Sequence, residues 1–139
     1  MIRLLPQLYI GGMAEFGDAS TLQAAGIELA IATNSERRFP HAANLAAITV
    51  QIDGDARHPQ WLISGLARLI GGLYLVKTIG IFDEQGGLGK ASYLVCCAYA
   101  QRSNVNFSVA ETWLNALLQP ARQHEIPVQL MAQGRGLWP

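Results

Sequence analysis

Charge is scarce in this chain. Only 14% of its residues are charged, ten basic side chains offset ten acidic ones, and the formal net charge is zero. A protein that holds nucleic acid or an anionic membrane surface by charge carries a basic stripe or patch, so neither partner is expected. Cysteine is scarcer still. Cys96 and Cys97 are the only two, and they are adjacent, which leaves no spaced framework for disulfides. No apolar run approaches the roughly 18 residues of a membrane helix. The first residues, Met1-Ile2-Arg3-Leu4-Leu5-Pro6, lack a basic segment followed by a long apolar stretch. The expected location is cytoplasmic. His41, His58 and His124 fall at no metal-ligand spacing, so no metal and no other cofactor is expected.

What the chain does have is apolar residues, half of its 139. That excludes a disordered chain and suffices for one domain with a core of its own. Short β-compatible runs alternate with helical patterns: strands over Ile2 to Ile10 (broken by Pro6), Leu29 to Thr33, Ala46 to Ile52 and Thr78 to Phe82. Between and after them come a short helix capped by Ser20-Thr21, a helix begun at Pro59, an almost wholly apolar helix from Ala91 to Arg102, and another opened by the Ser108–Glu111 capping box. Such alternation predicts an α/β fold, a single-domain three-layer sandwich with a mainly parallel central sheet. The domain is expected over 1–132, with 133–139, containing Gly134 and Gly136, as a C-terminal tail. Trp61 and Trp113 are expected to pack, and Cys96 and Cys97 to be buried in their helix.

The stretch with chemical content is Ile79 to Ser92. An apolar run ends in Asp83-Glu84, passes through Gln85-Gly86-Gly87-Leu88-Gly89, and resumes after Lys90. Strand, glycine-rich turn and helix in that order let backbone N–H groups converge at the positive end of a helix, which suits an anion. A Walker A loop would need glycine at Glu84 and a hydroxyl residue at Ala91, so that motif is absent. The plainer alternative is that the glycines only permit a tight strand–helix turn.

Read from Glu84, the sequence Glu84-Gln85-Gly86-Gly87-Leu88-Gly89-Lys90-Ala91 resembles the Cys-x-Ala-Gly-x-Gly-Arg-Thr loop of the cysteine-based phosphatases, in particular the small dual-specificity phosphatases. The likeness spans roughly residues 5–118 in the family's order. Leu8-Tyr9-Ile10-Gly11-Gly12 is similar to its opening strand, Leu22 to Asn34 to its first helix and strand, and Ile48 to Asp53 to the strand before its general-acid loop. The resemblance implies a phosphatase-like sandwich of the phosphotyrosine phosphatase II type. In that family a thiolate attacks phosphorus, an arginine grips two phosphoryl oxygens, and a hydroxyl after it assists the leaving thiolate. Here Asp83 stands where a His usually precedes the Cys, Glu84 replaces the Cys, Lys90 the Arg, and Ala91 the hydroxyl residue. Asp53 and Asp55 both fall within range of the general-acid position, although Asp-Gly-Asp is also a normal turn.

A carboxylate is a far weaker nucleophile than a thiolate, and lysine lacks the planar fork of arginine, so conventional phosphatase activity is not expected. A phosphate facing Glu84 would meet a repulsion of roughly 4 kcal/mol per unit charge about 4 Å away at an effective dielectric near 20, which Lys90 would roughly return. Two arrangements relieve the conflict: burial protonates Glu84, or its carboxylate itself fills the amide cradle and pairs with Lys90, and the second is the expectation. The leading expectation is a catalytically degenerate, non-catalytic binding or regulatory domain. Its partner would be a protein or a weakly held anion or phospho-ligand at the loop Gln85 to Lys90, with self-association left open. One alternative is an enzyme of altered chemistry that uses Asp83 or Glu84 as general base or nucleophile in the former phosphate cleft. Another is a purely structural subunit.

Overall fold

The computed structural model describes residues 1–33, 44–52, 58–118 and 128–137. Asp53, Asp55, His41, His124 and Trp138 lie outside the described residues. Five strands, β1 (Ile2–Leu5), β2 (Leu8–Gly12), β3 (Leu29–Ala32), β4 (Ala46–Thr49) and β5 (Ile79–Asp83), form one sheet in the order β1-β2-β5-β3-β4. Only β1 runs antiparallel to its neighbour, joined to β2 through a turn at Pro6-Gln7, and the other pairings are parallel. Proline has no N–H to give a ladder, and it sits here in the turn beside an edge strand.

The side-chain period of two distributes the sheet between two cores. Leu8, Ile10, Leu29, Ile31, Ile79 and Ile81 point to one face, while Tyr9, Ala30, Ala32 and Phe82 point to the other. The smaller second face is covered by α1 (Met13–Phe16) and α2 (Ala19–Ala24), with Phe16 tilted against Phe82 at 5.7 Å. The first face is covered by α3 (Gln60–Leu73), α4 (Lys90–Ser103), α5 (Phe107–Leu117) and α6 (Val128–Leu137). Layers on both sides explain why every residue of β3 and β5 is buried, as in parallel sheets generally, whereas the edges β1 and β4 are mixed.

Several boundaries differ from expectation for identifiable reasons. The cap of α2 is Asp18, which accepts from the amides of Ser20 and Thr21, and the cap of α5 is Asn106, which accepts from Val109 N at 2.9 Å. Both precede the hydroxyl residues that the sequence suggested, because a carboxylate or amide at the true N-cap takes the same orphan donors. Trp113 stacks on Tyr99 at 4.0 Å, but Trp61 is 75% exposed. It lies on α3 opposite the stripe of Ile63, Leu66, Ala67 and Ile70 that faces the core.

The last helix is the largest departure. Residues 133–137 continue α6 instead of trailing as a tail. Gly134 belongs there because a Cβ at that position would come within 2.7 Å of the buried Phe107 ring. Gly65 and Gly72, in contrast, are exposed on α3 with nothing within 4 Å of a would-be Cβ. The same substitution should therefore have opposite signs. Gly65→Ala and Gly72→Ala should each raise stability by about 0.4–1 kcal/mol, whereas Gly134→Ala should lower it by about 1–3 kcal/mol through overpacking. Urea midpoints of the three variants test this.

Candidate functional site

β5 lies at the centre of the sheet and delivers its C-terminal end, Asp83, beside Gly12 of β2. Strand alternation fixes where each side chain goes. Phe82 turns toward α1 and α2, so Asp83 follows Ile79 and Ile81 toward the face that α4 covers. Its carboxylate enters the turn that follows. One oxygen, Oδ1, accepts from the amides of Gln85 at 2.8 Å and Gly87 at 2.7 Å. The other, Oδ2, accepts from Gly89 at 3.0 Å and Ala91 at 2.9 Å. Four amides of alternate residues thus close around one carboxylate that is 1% exposed. Hydrogen bonds to an ionised acceptor are among the strong ones, and the positive end of the 14-residue α4 adds to them.

The turn can close this way only with glycine at its bend. Gly86 and Gly87 have φ of 69° and 94°, and a Cβ on Gly87 would lie 2.7 Å from the amide nitrogen of Gly11. The far side is tied by Ser92, whose buried hydroxyl donates to the Gly87 carbonyl at 2.6 Å. Ser92 was not among the residues singled out by sequence. The Ser one place after the expected hydroxyl position was its only signal. On the β2 side, Glu15 accepts from the Gly12 amide at 2.9 Å and pairs with the Met1 amino group.

The expectation for Glu84 is corrected. The group in the cradle is Asp83, and Glu84, one residue beyond the strand, is exposed together with Gln85 and Gly86. Counted from the cradle's occupant, residues 84–89 intervene before Lys90, one more than the spacing of the phosphatase loop. Lys90 is half-buried at the start of α4, and its ammonium joins no ion pair among the described residues. Ala91 contributes its amide and a buried methyl.

Other chemistry is remote or absent from what is described. Cys96 and Cys97 are fully buried in α4, and burial pushes both thiols up, with Cys97 and Glu111 adding to it at Cys96 and Tyr93 opposing it at Cys97. Cys96 lies about 9 Å along the helix axis from Lys90 at 1.5 Å per residue. No group of three or more metal-ligating side chains occurs among the described residues, and no described helix is long and apolar enough to cross a membrane. A cavity of about 790 Å³ opens between β4 and α3, walled by Leu29, Leu45, Ile48, Leu69 and Leu73. It borders the N-terminal ends of β3 and β4, whereas the glycine-rich loop lies at the C-terminal end of β5, where ligands of open α/β sheets normally sit. Chemistry favours the loop.

The segment before α3 is fastened from the opposite side. His58 N donates to Gln133 Oε1 at 3.2 Å, and Gln133 Nε2 donates to the His58 carbonyl at 2.8 Å. Gln133, buried on α6, thereby anchors the residue that follows the stretch holding Asp53 and Asp55. A lone glutamine in a glycine-containing segment carries no signal of this in sequence.

No protein-family model matches the sequence, and no curated protein matches it. Solved structures do match. Human DUSP28 superposes with a TM-score of 0.78 at 14% identity, covering 99% of this chain and 94% of that one. A mouse putative dual specificity phosphatase, solved complexed with zinc tungstate, gives 0.78 at 17% identity, covering 98% and 84%. The human tyrosine phosphatase-like serine/threonine/tyrosine-interacting protein gives 0.70 at 15% identity, covering 96% and 92%. The chain therefore has the dual-specificity phosphatase fold, a mixed α/β sandwich around a mostly parallel five-stranded sheet.

A thiol reagent should label neither Cys96 nor Cys97 in the native protein and both after denaturation, and labelling at the rate of a free thiol under native conditions would contradict the burial. At Glu15, burial opposes the charge, but the Gly12 amide and the Met1 amino group outweigh it and hold the carboxyl below its ordinary value of 4.5. A carboxyl depressed by folding stabilises above its unfolded value and loses that contribution as pH falls through its folded value. Glu15→Gln should flatten the acid limb of a stability curve taken between about pH 3 and 6.

Proposed function

We propose that this protein is a phosphatase-like domain without phosphatase chemistry, acting by binding. The observation that carries the reading is the Asp83 carboxylate, buried where four loop amides converge. A phosphoryl group in that cradle would need the same donors, and no thiolate is at hand to attack it. Removing a nucleophile alone lowers kcat on the order of 10⁶-fold in a well-studied hydrolase.

The fold's neighbours support the same direction. One was solved with tungstate, an oxyanion, whereas this chain brings its own carboxylate to its loop; another is named an interacting, phosphatase-like protein. The ligand class that fits is a protein partner, met at the rim of Glu84, Gln85 and Lys90, with self-association as one form of it. A cytoplasmic setting suits two unpaired, buried cysteines. The rival reading, an enzyme that uses Asp83 or Glu84 as base or nucleophile, has less support. Both oxygens of Asp83 are engaged twice, which leaves only the exposed Glu84. A structural subunit would need no loop geometry at all, and the hydrogen-bonded ring argues for more than that.

The test is hydrolysis of an aryl phosphate by the purified chain. No saturable turnover above buffer is expected. Saturable turnover abolished by Asp83→Asn or Glu84→Gln would overturn the reading and favour the enzyme of altered chemistry.

A further inference from the structure

We infer that Asp83 is the resident anion of its own loop, an internal plug that holds the ring of amides closed and excludes external oxyanions. This rests on the non-catalytic reading above and assigns the regulation of the same site. A carboxylate has two oxygens, each able to accept two hydrogen bonds, and the loop supplies two amides to each at 2.7–3.0 Å. The match in number leaves no donor of the ring over for a second anion.

The plug is also covalently aimed. Asp83 ends β5 in register with Gly12, so its Cα is fixed by the sheet, and alternation after Phe82 sends its side chain into the turn. The ring has no room to slide away from it. Gly87 already touches β2 so closely that a Cβ would meet Ile10 and Gly11, and Ser92 ties the Gly87 carbonyl from the α4 side. An external anion placed about 4 Å from the carboxylate would lose roughly a thousandfold in binding per unit charge at an effective dielectric near 20. Because the anion is part of the chain, the rim at residues 84–86 keeps one shape whether or not phosphate is present. A protein partner would therefore meet a constant surface.

Removing the plug should convert the loop into a receptor for a tetrahedral oxyanion. The experiment follows the backbone amide resonances of Gln85, Gly87, Gly89 and Ala91, and the melting temperature, as inorganic phosphate is added at constant ionic strength. In the wild type and in Glu84→Gln these amides should not move. In Asp83→Ala they should shift together and saturate, and the melting temperature should rise by about 4 °C at phosphate ten times its dissociation constant. Phenyl phosphate in place of inorganic phosphate tells whether the opened ring also admits an ester. Asp83→Ala that folds only when refolded in phosphate would support the plug equally well. Wild-type amides that titrate with phosphate would overturn the inference. So would a folded Asp83→Ala whose four amides stay still, or an unfolded one that phosphate does not recover. The aryl phosphatase assay keeps the two readings apart. Turnover by the wild type sinks the non-catalytic reading, whereas silent amides in a folded Asp83→Ala, with no turnover by the wild type, sink only the plug.

Discussion

The carboxylate of Asp83 meets four backbone amides from alternate residues of one turn, and the surrounding architecture serves that meeting. A buried charge is tolerable only when it is well hydrogen-bonded, because its desolvation is otherwise uncompensated. Here the compensation is local. The strand places the acceptor, glycines with left-handed backbone turn the donors inward, and the helix that begins at Lys90 adds its positive end. Each partner answers the other's need: the carboxylate supplies the acceptors for the amides, and the amides compensate its burial.

The rest of the fold holds this arrangement in place. β5 is clamped between β2 and β3, with Ile79 and Ile81 packed under α4 on one face and Phe82 under α1 on the other. The last helix closes the far side. Gly134 lets α6 approach Phe107, and Gln133 hydrogen-bonds both backbone groups of His58. The fold is that of dual-specificity phosphatases, yet nothing in its cradle resembles an exposed nucleophile. The two thiols are used as small apolar groups, sealed in α4.

Much of this was legible in the sequence. Short apolar runs exposed the central strands, helical spacing from Leu62 to Leu73 after Pro59 exposed α3, and a nearly unbroken apolar run from Ala91 to Arg102 exposed α4. Caps lie two residues before the expected Ser20 and Ser108, since Asp18 and Asn106 compete with these hydroxyls for the same donors. The final helix was missed because glycine ordinarily signals a break, and its reason at Gly134 is a contact with Phe107 from another helix. Trp61 was misjudged because it sits one helical face away from the stripe that packs.

By itself, the sequence determined that the chain is an α/β domain with a glycine-rich loop between a strand and a helix, and that the loop lacks a thiol. Composition and local spacing carry that information. Which of two adjacent carboxylates occupies the loop was decided only by tertiary structure. Asp83 and Glu84 are equivalent as letters, but the packing of Phe82 into the second core fixes the phase of β5. That phase turns Asp83 inward to the amides and leaves Glu84 at the surface.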